Sequence, residues 1–258
     1  MSTWRIDQLC KKPKLCNPIL IEGLPGIGNV GKVAVDFMID ELKAKKLYEI
    51  TSNTFPHSVF VNEDNLVELP KIEIFYKKFG NNRNDLLLLA GDVQPIDEES
   101  SYDFSERILD LVSSFKGREV ITLGGVGLME VPKKPKIYCT GNSKDIIKKY
   151  RSKDVKEKLY GIVGPIVGVS GLLLGLATRR KIKAVSLLAE TYGHPMYLGV
   201  KGAKEILRIL NEKLRLNLRI EKLEKEIKEI EKAILERKEE LGEQPKGAIN
   251  KFGVTYIG

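Results

Sequence analysis

A chain of 258 residues with 42% hydrophobic content is long enough to bury one substantial core with an appendage, which excludes a disordered or peptide-sized protein. Its formal net charge is +8, yet the basic residues are interleaved with glutamates or confined to short clusters such as Lys11-Lys12-Pro13-Lys14 and Arg179-Arg180-Lys181, with no aromatic residues between them; specific nucleic-acid binding is not expected. Three cysteines without C-x-x-C spacing and two isolated histidines, His57 and His194, indicate no metal site.

From the start, Met1 to Leu9 is polar and lacks the apolar stretch of a signal peptide, which with the odd cysteine count fits a reducing cytoplasm. Residues 18–22 read as a strand, followed by Gly23-Leu24-Pro25-Gly26-Ile27-Gly28-Asn29-Val30-Gly31-Lys32 and an amphipathic helix over 29–45. That glycine run nearly matches two phosphate-binding patterns. As G-x-x-x-x-G-K-[ST] it has Gly26, Gly31 and Lys32, but Val33 stands where a hydroxyl would hold magnesium. As G-x-G-x-x-G it has Gly26, Gly28 and Gly31, but the next strand-like run carries Glu49 near its start rather than an acid at its end. Gly26, Gly28, Gly31 and Lys32 are therefore a candidate anion-binding turn, because a helix start offers free N–H groups. The simpler reading is a tight turn whose glycines let helix and sheet pack closely.

Residues 47–54, 57–61 and 72–76 read as strands of antiparallel hairpin character, and 85–90 as a buried strand running into a loop with Asp92, Asp97, Glu98 and Glu99. A helix is predicted over 102–115, then a buried strand at 119–123 ending in Gly124-Gly125, a strand at 136–140 and a helix over 143–151. The uncharged run from Gly161 to Ala177 is too short and too broken by Pro165 and glycines to span a membrane. It reads instead as a helix over 165–180 with a bare stripe at Gly164, Gly168, Gly171 and Gly175. A strand at 183–189 precedes Glu190, Thr191 and His194. From Ala203 a helical pattern runs without proline or glycine to Leu241, and Leu216, Ile220, Leu223, Ile227, Ile230 and Ile234 form a heptad seam, broken at Arg237, that suits pairing with another subunit or a two-helix antiparallel arrangement over folding back on its own domain. A breaker-rich linker at 242–247 leads to a short tail ending Val254-Thr255-Tyr256-Ile257-Gly258.

Strands alternating with helices predict an α/β sandwich around a largely parallel, mixed sheet, organised as a core domain at 1–202, a long helix at 203–241 and a flexible linker and tail at 242–258. Catalytic candidates are thin. Gly168-Val169-Ser170-Gly171 resembles part of a nucleophile elbow, but Leu172 breaks the G-x-S-x-G pattern, so Ser170 reads as a packing residue and the chain as a non-enzyme without cofactor.

Four stretches in this order, Gly23 to Gly31, Gly124-Gly125, Gly168-Val169-Ser170-Gly171-Leu172-Leu173-Leu174-Gly175 and Leu187-Leu188-Ala189-Glu190-Thr191, resemble the proteasome assembly chaperone family, and within it the archaeal and bacterial members of the second-chaperone branch. The resemblance spans roughly residues 17–215. It implies a three-layer α/β/α sandwich akin to the nucleoside-phosphorylase fold, no catalysis, self-association, and binding to α subunits of the proteasome core particle. Family members and proteasome activators use a tail ending hydrophobic–Tyr–any residue; here Tyr256 stands third from the end behind Thr255, a variant of that register. The alternative from the residues is a nucleotide- or nucleoside-binding enzyme using the Gly26–Lys32 turn.

Overall fold

The computed structural model describes residues 4–80, 83–153, 155–156, 164–194, 197–223 and 225. Contacts divide the chain into two units, Met1–Ile220 and Glu221–Gly258. Within the first, the described elements are β1 (Trp4–Gln8), β2 (Ile19–Glu22), a 3-10 turn (Ile27–Asn29), α1 (Val30–Leu42), β3 (Lys45–Ser52), β4 (Phe60–Val61), β5 (Val67–Glu68), β6 (Ile72–Lys77), β7 (Leu86–Gly91), α2 (Glu98–Ser114), β8 (Glu119–Leu128), β9 (Ile137–Gly141), α3 (Lys144–Tyr150), β10 (Val155–Lys156), α4 (Val169–Arg179), β11 (Lys183–Tyr192) and α5 (Val200–Leu214).

The large sheet has the order β1-β3-β6-β7-β2-β8-β11-β9-β10, while β4 and β5 pair separately. Its centre, β7-β2-β8-β11, is parallel, and β1, β3 and β6 add antiparallel strands on one side. The mixed α/β architecture expected from the alternation of elements is therefore present. Every residue of β2 and β7 is buried, so these strands need cover on both faces. Leu20, Leu87, Leu89 and Val120 pack with Phe104 and Ile108 of α2 and Val169 and Leu173 of α4. On the opposite face, Gly31 of α1 lies against the Leu123 carbonyl and Gly202 of α5 against Ala189.

Two helix starts depart from the expectation, each for a local reason. α2 begins at Glu98 rather than 102 because Asp97 caps it, its Oδ1 accepting the Ser100 N–H at 2.8 Å. α4 begins at Val169 rather than 165 because Gly168 stands before it at φ 81°, a backbone state that favours glycine. The expected glycine stripe is thereby cut: Gly164 and Gly168 precede the helix, leaving Gly171 and Gly175 within it.

The helix expected without interruption over 203–241 is the largest correction. α5 stops at Leu214, and Arg215 (φ 54°) and Asn217 (φ 59°) are left-handed. Asn211 organises the stop: its backbone carbonyl accepts from Leu216 N–H at 3.3 Å and its side-chain oxygen from Leu218 N–H at 2.9 Å. Leu216, Leu218 and Ile220, spaced by two rather than by three and four, are all buried. Leu216 and Ile220 are thus core residues of a non-helical strap and not seam positions of an oligomerisation helix. Replacing Asn211 with alanine leaves the Leu218 N–H without its acceptor and should cost about 1–2 kcal/mol, read as a lower urea midpoint at unchanged slope.

In the second unit, 221–223 and 225 are helical, Leu223 among them. Ile227, Ile230 and Ile234, and the tail residues Val254, Thr255, Tyr256, Ile257 and Gly258, lie outside the described residues. Among the described residues no helix is long and apolar enough to cross a membrane.

Candidate functional site

The carboxyl ends of the parallel strands open into a cleft of about 940 Å³, the place where open α/β sheets hold ligands. Its walls come from the β2–α1 turn, the start of α2, the end of β8 and the start of α4. Hydrogen bonds stitch these walls together. Gln94 donates from Nε2 to the Pro25 carbonyl at 2.8 Å, and its Oε1 accepts the Val169 N–H at 3.4 Å.

Beneath them lies Glu22, fully buried at the end of β2. Its two oxygens accept the Leu24 N–H at 3.0 Å and the Ser170 hydroxyl at 2.9 Å. Burial pushes its carboxyl up to about 7, against the pull of those two bonds toward the charged form. Thr122 is its register partner on β8, and the Thr122 hydroxyl is buried without a hydrogen-bond partner. The sequence reads Ser170 as a packing residue; the structure makes it the half-buried partner of the buried Glu22, linking β2 to α4. Chain separation hid that pair, and the one signal for it was a carboxylate in an otherwise apolar strand. A serine bonded to a carboxylate is a fragment of a nucleophilic site, but neither His57 nor His194 is among the residues lining the cleft.

The glycine-rich turn is the strand-to-helix connection that the sequence suggested. Gly28 is left-handed at φ 60°, and a Cβ there would fall 2.5 Å from Thr191 Oγ1. A Cβ on Gly125 would lie 2.2 Å from the Ile27 carbonyl oxygen, so turn and sheet touch backbone to backbone. Gly26 and Gly31 line the cleft. Lys32 does not: its Nζ pairs with Asp36 Oδ2 at 3.0 Å, one turn along α1. The charged residues among those lining the cleft are Asp97 and Glu98, both acidic. The Ser100 N–H holds the Asp97 carboxyl below the usual carboxylate range.

The other acids singled out in the sequence are used elsewhere. Glu190 accepts the Tyr138 hydroxyl at 2.8 Å and the Lys136 N–H at 3.1 Å, joining β11 to β9. Desolvation, then the hydrogen bond to Glu190 and its charge, push the Tyr138 hydroxyl up to about 12. Asp92 Oδ2 accepts the Lys71 N–H at 3.4 Å. Among the described residues, no group of three or more His, Cys, Asp or Glu side chains could hold a metal ion.

Known proteins share this fold. The crystal structure of PbaB from Pyrococcus furiosus, an archaeal proteasome activator, is 34% identical, covers 92% of this chain and 99% of its own, and superposes with a TM-score of 0.84. PbaA from the same organism, an archaeal homolog of proteasome-assembly chaperone, is 25% identical over 92% of each chain with a TM-score of 0.74. Among curated sequences, the uncharacterized protein MJ1210 of Methanocaldococcus jannaschii is 30% identical over 84% of this chain and 82% of its own length. The model of the PAC2 family matches residues 20–237, well over half of the chain, and the chain belongs to that family.

Proposed function

We propose that this protein is a non-enzymatic, homo-oligomeric chaperone or adaptor that binds α subunits of the proteasome core particle during assembly or activation. The observation that carries the reading is the likeness to an archaeal proteasome activator along 92% of this chain and 99% of that one, at 34% identity. Helices on both faces of the mixed sheet support a three-layer sandwich of the nucleoside-phosphorylase kind. Docking is assigned to Val254, Thr255, Tyr256, Ile257 and Gly258, whose apolar anchors and phenol suit a groove between neighbouring subunits. Self-association is assigned to the apolar series Leu223, Ile227, Ile230 and Ile234, and several tails on one oligomer multiply a weak single contact.

Deleting residues 254–258 should weaken binding to purified α-subunit rings by tenfold or more, about 1.4 kcal/mol. The deletion should leave the urea midpoint and the solution mass unchanged. Mass measurement with and without rings checks both, and undiminished ring binding by the truncated protein removes the tail from the mechanism.

A further inference from the structure

β8 continues past the strand that accompanies it on one side. It pairs with β2 only from Glu119 to Thr122, but with β11 from Glu119 to Leu128. From Leu123 onward its β2-side edge has no strand beside it among the described residues, because β2 ends at Glu22 and the chain turns away into α1. In a strand, half of the N–H and C=O groups point to each side, so this edge presents main-chain donors and acceptors.

The residues there are Gly124, Gly125, Val126 and Gly127, which line the cleft and are partly or fully exposed. Gly124 places no side chain between that edge and an incoming backbone, while on the other face of the strand Ile27 already packs against Gly125 and Gly127. Around the opening stand large apolar side chains that solvent reaches freely: Ile27 is 53% exposed, Ile96 70%, Tyr102 51% and Val167 82%. They come from three separate wall segments, so they frame the groove rather than form one helix face.

Charge narrows the occupant. In a protein of net charge +8, the charged residues among those lining this cleft are Asp97 and Glu98. Phosphates and acidic chains meet like charge there, and a cation beside apolar groups meets its complement. Ser100 N–H occupies Asp97 Oδ1 as a helix cap, and the carboxylate keeps its charge.

We propose that the cleft is a strand-addition groove for a partner polypeptide: an extended, apolar segment carrying a lysine or arginine, bonded through its main chain to the free edge of β8 at Gly124–Gly127. Main-chain pairing supplies the affinity, the rim takes alternate side chains, and Asp97 and Glu98 receive the cation. This site is distinct from the tail and stands whatever the outcome of the truncation above.

The test uses the full chain and a fluorescein-labelled nonapeptide of alternating valine and threonine with one central lysine, followed by anisotropy at low salt. Replacing that lysine with glutamate should weaken binding about tenfold, and N-methylating alternate peptide nitrogens, which removes strand bonds but no side chain, should weaken it at least tenfold. In the double variant Asp97→Asn, Glu98→Gln, asparagine preserves the helix cap, and the two peptides should then bind within about twofold of each other. Three results would each overturn the proposal. They are no binding of the lysine peptide up to about 1 mM, equal binding of the N-methylated peptide, and a charge preference unchanged in the double variant. Displacement of the peptide as protein concentration rises would assign the groove to a second copy of the chain and overturn it as well.

Discussion

Alanine at Gly31 should destabilise the protein by about 3 kcal/mol or more, while alanine at Gly26, five residues away in the same motif, should change stability by less than about 1 kcal/mol. A Cβ on Gly31 would lie 2.4 Å from the Leu123 carbonyl oxygen and 3.2 Å from Gly23 Cα, and both neighbours are backbone that cannot rotate aside. The first turn of α1 would have to lift from β8, separating Val30, Ala34 and Val35 from the contacts that bury them. Around Gly26 there is nothing within 4 Å of the added atom, and its φ of −163° is open to any residue. Urea unfolding of both variants decides the matter. Equal midpoints would mean that the close approach of α1 to β8 does not govern the fold.

The second large effect is a pH dependence centred on Glu22. Its folded carboxyl titrates near 7 against an ordinary 4.5, because burial disfavours its charge more than Leu24 and Ser170 favour it. The folded state therefore holds the proton where the unfolded chain has released it. The stabilisation is complete below pH 4.5, is lost as pH rises toward about 7, and amounts to about 3 kcal/mol over that window. Glu22→Gln keeps the shape and removes the titration. The variant should follow wild type at low pH and gain on it by up to that amount by pH 8. Parallel midpoint-against-pH curves for the two proteins would show that Glu22 stays charged inside the fold.

Much of the central sheet was readable because buried strands announce themselves by composition. The run 85–90 became Leu86–Gly91, 119–123 the first half of Glu119–Leu128, and 183–189 most of Lys183–Tyr192. β1 escaped notice because Arg5 and Asp7 alternate with Trp4 and Ile6, an edge-strand pattern too short and too charged to stand out. The stop after α5 escaped for a different reason. Leu216, Leu218 and Ile220 fit a period of two, while Leu216, Ile220 and Leu223 also fit a heptad, and periodicity alone cannot choose. Tertiary burial and the side chain of Asn211 chose the extended form. In the cleft, the glycine motif marked one wall. The Glu22–Ser170 bond and the bare edge of β8 join segments far apart in the chain, and no local pattern encodes such meetings.

The position of β2 has a kinetic side. Ile19 pairs with Leu86 on one edge and with Glu119 on the other, and β8 in turn waits for Lys183 to Tyr192. A nascent chain emerging amino terminus first thus carries an apolar segment whose second edge stays open until Thr122 has emerged, and β8 beside it stays open until Tyr192 has. Such high sequence separation slows acquisition of the native state and prolongs the interval in which sticky strands are uncovered.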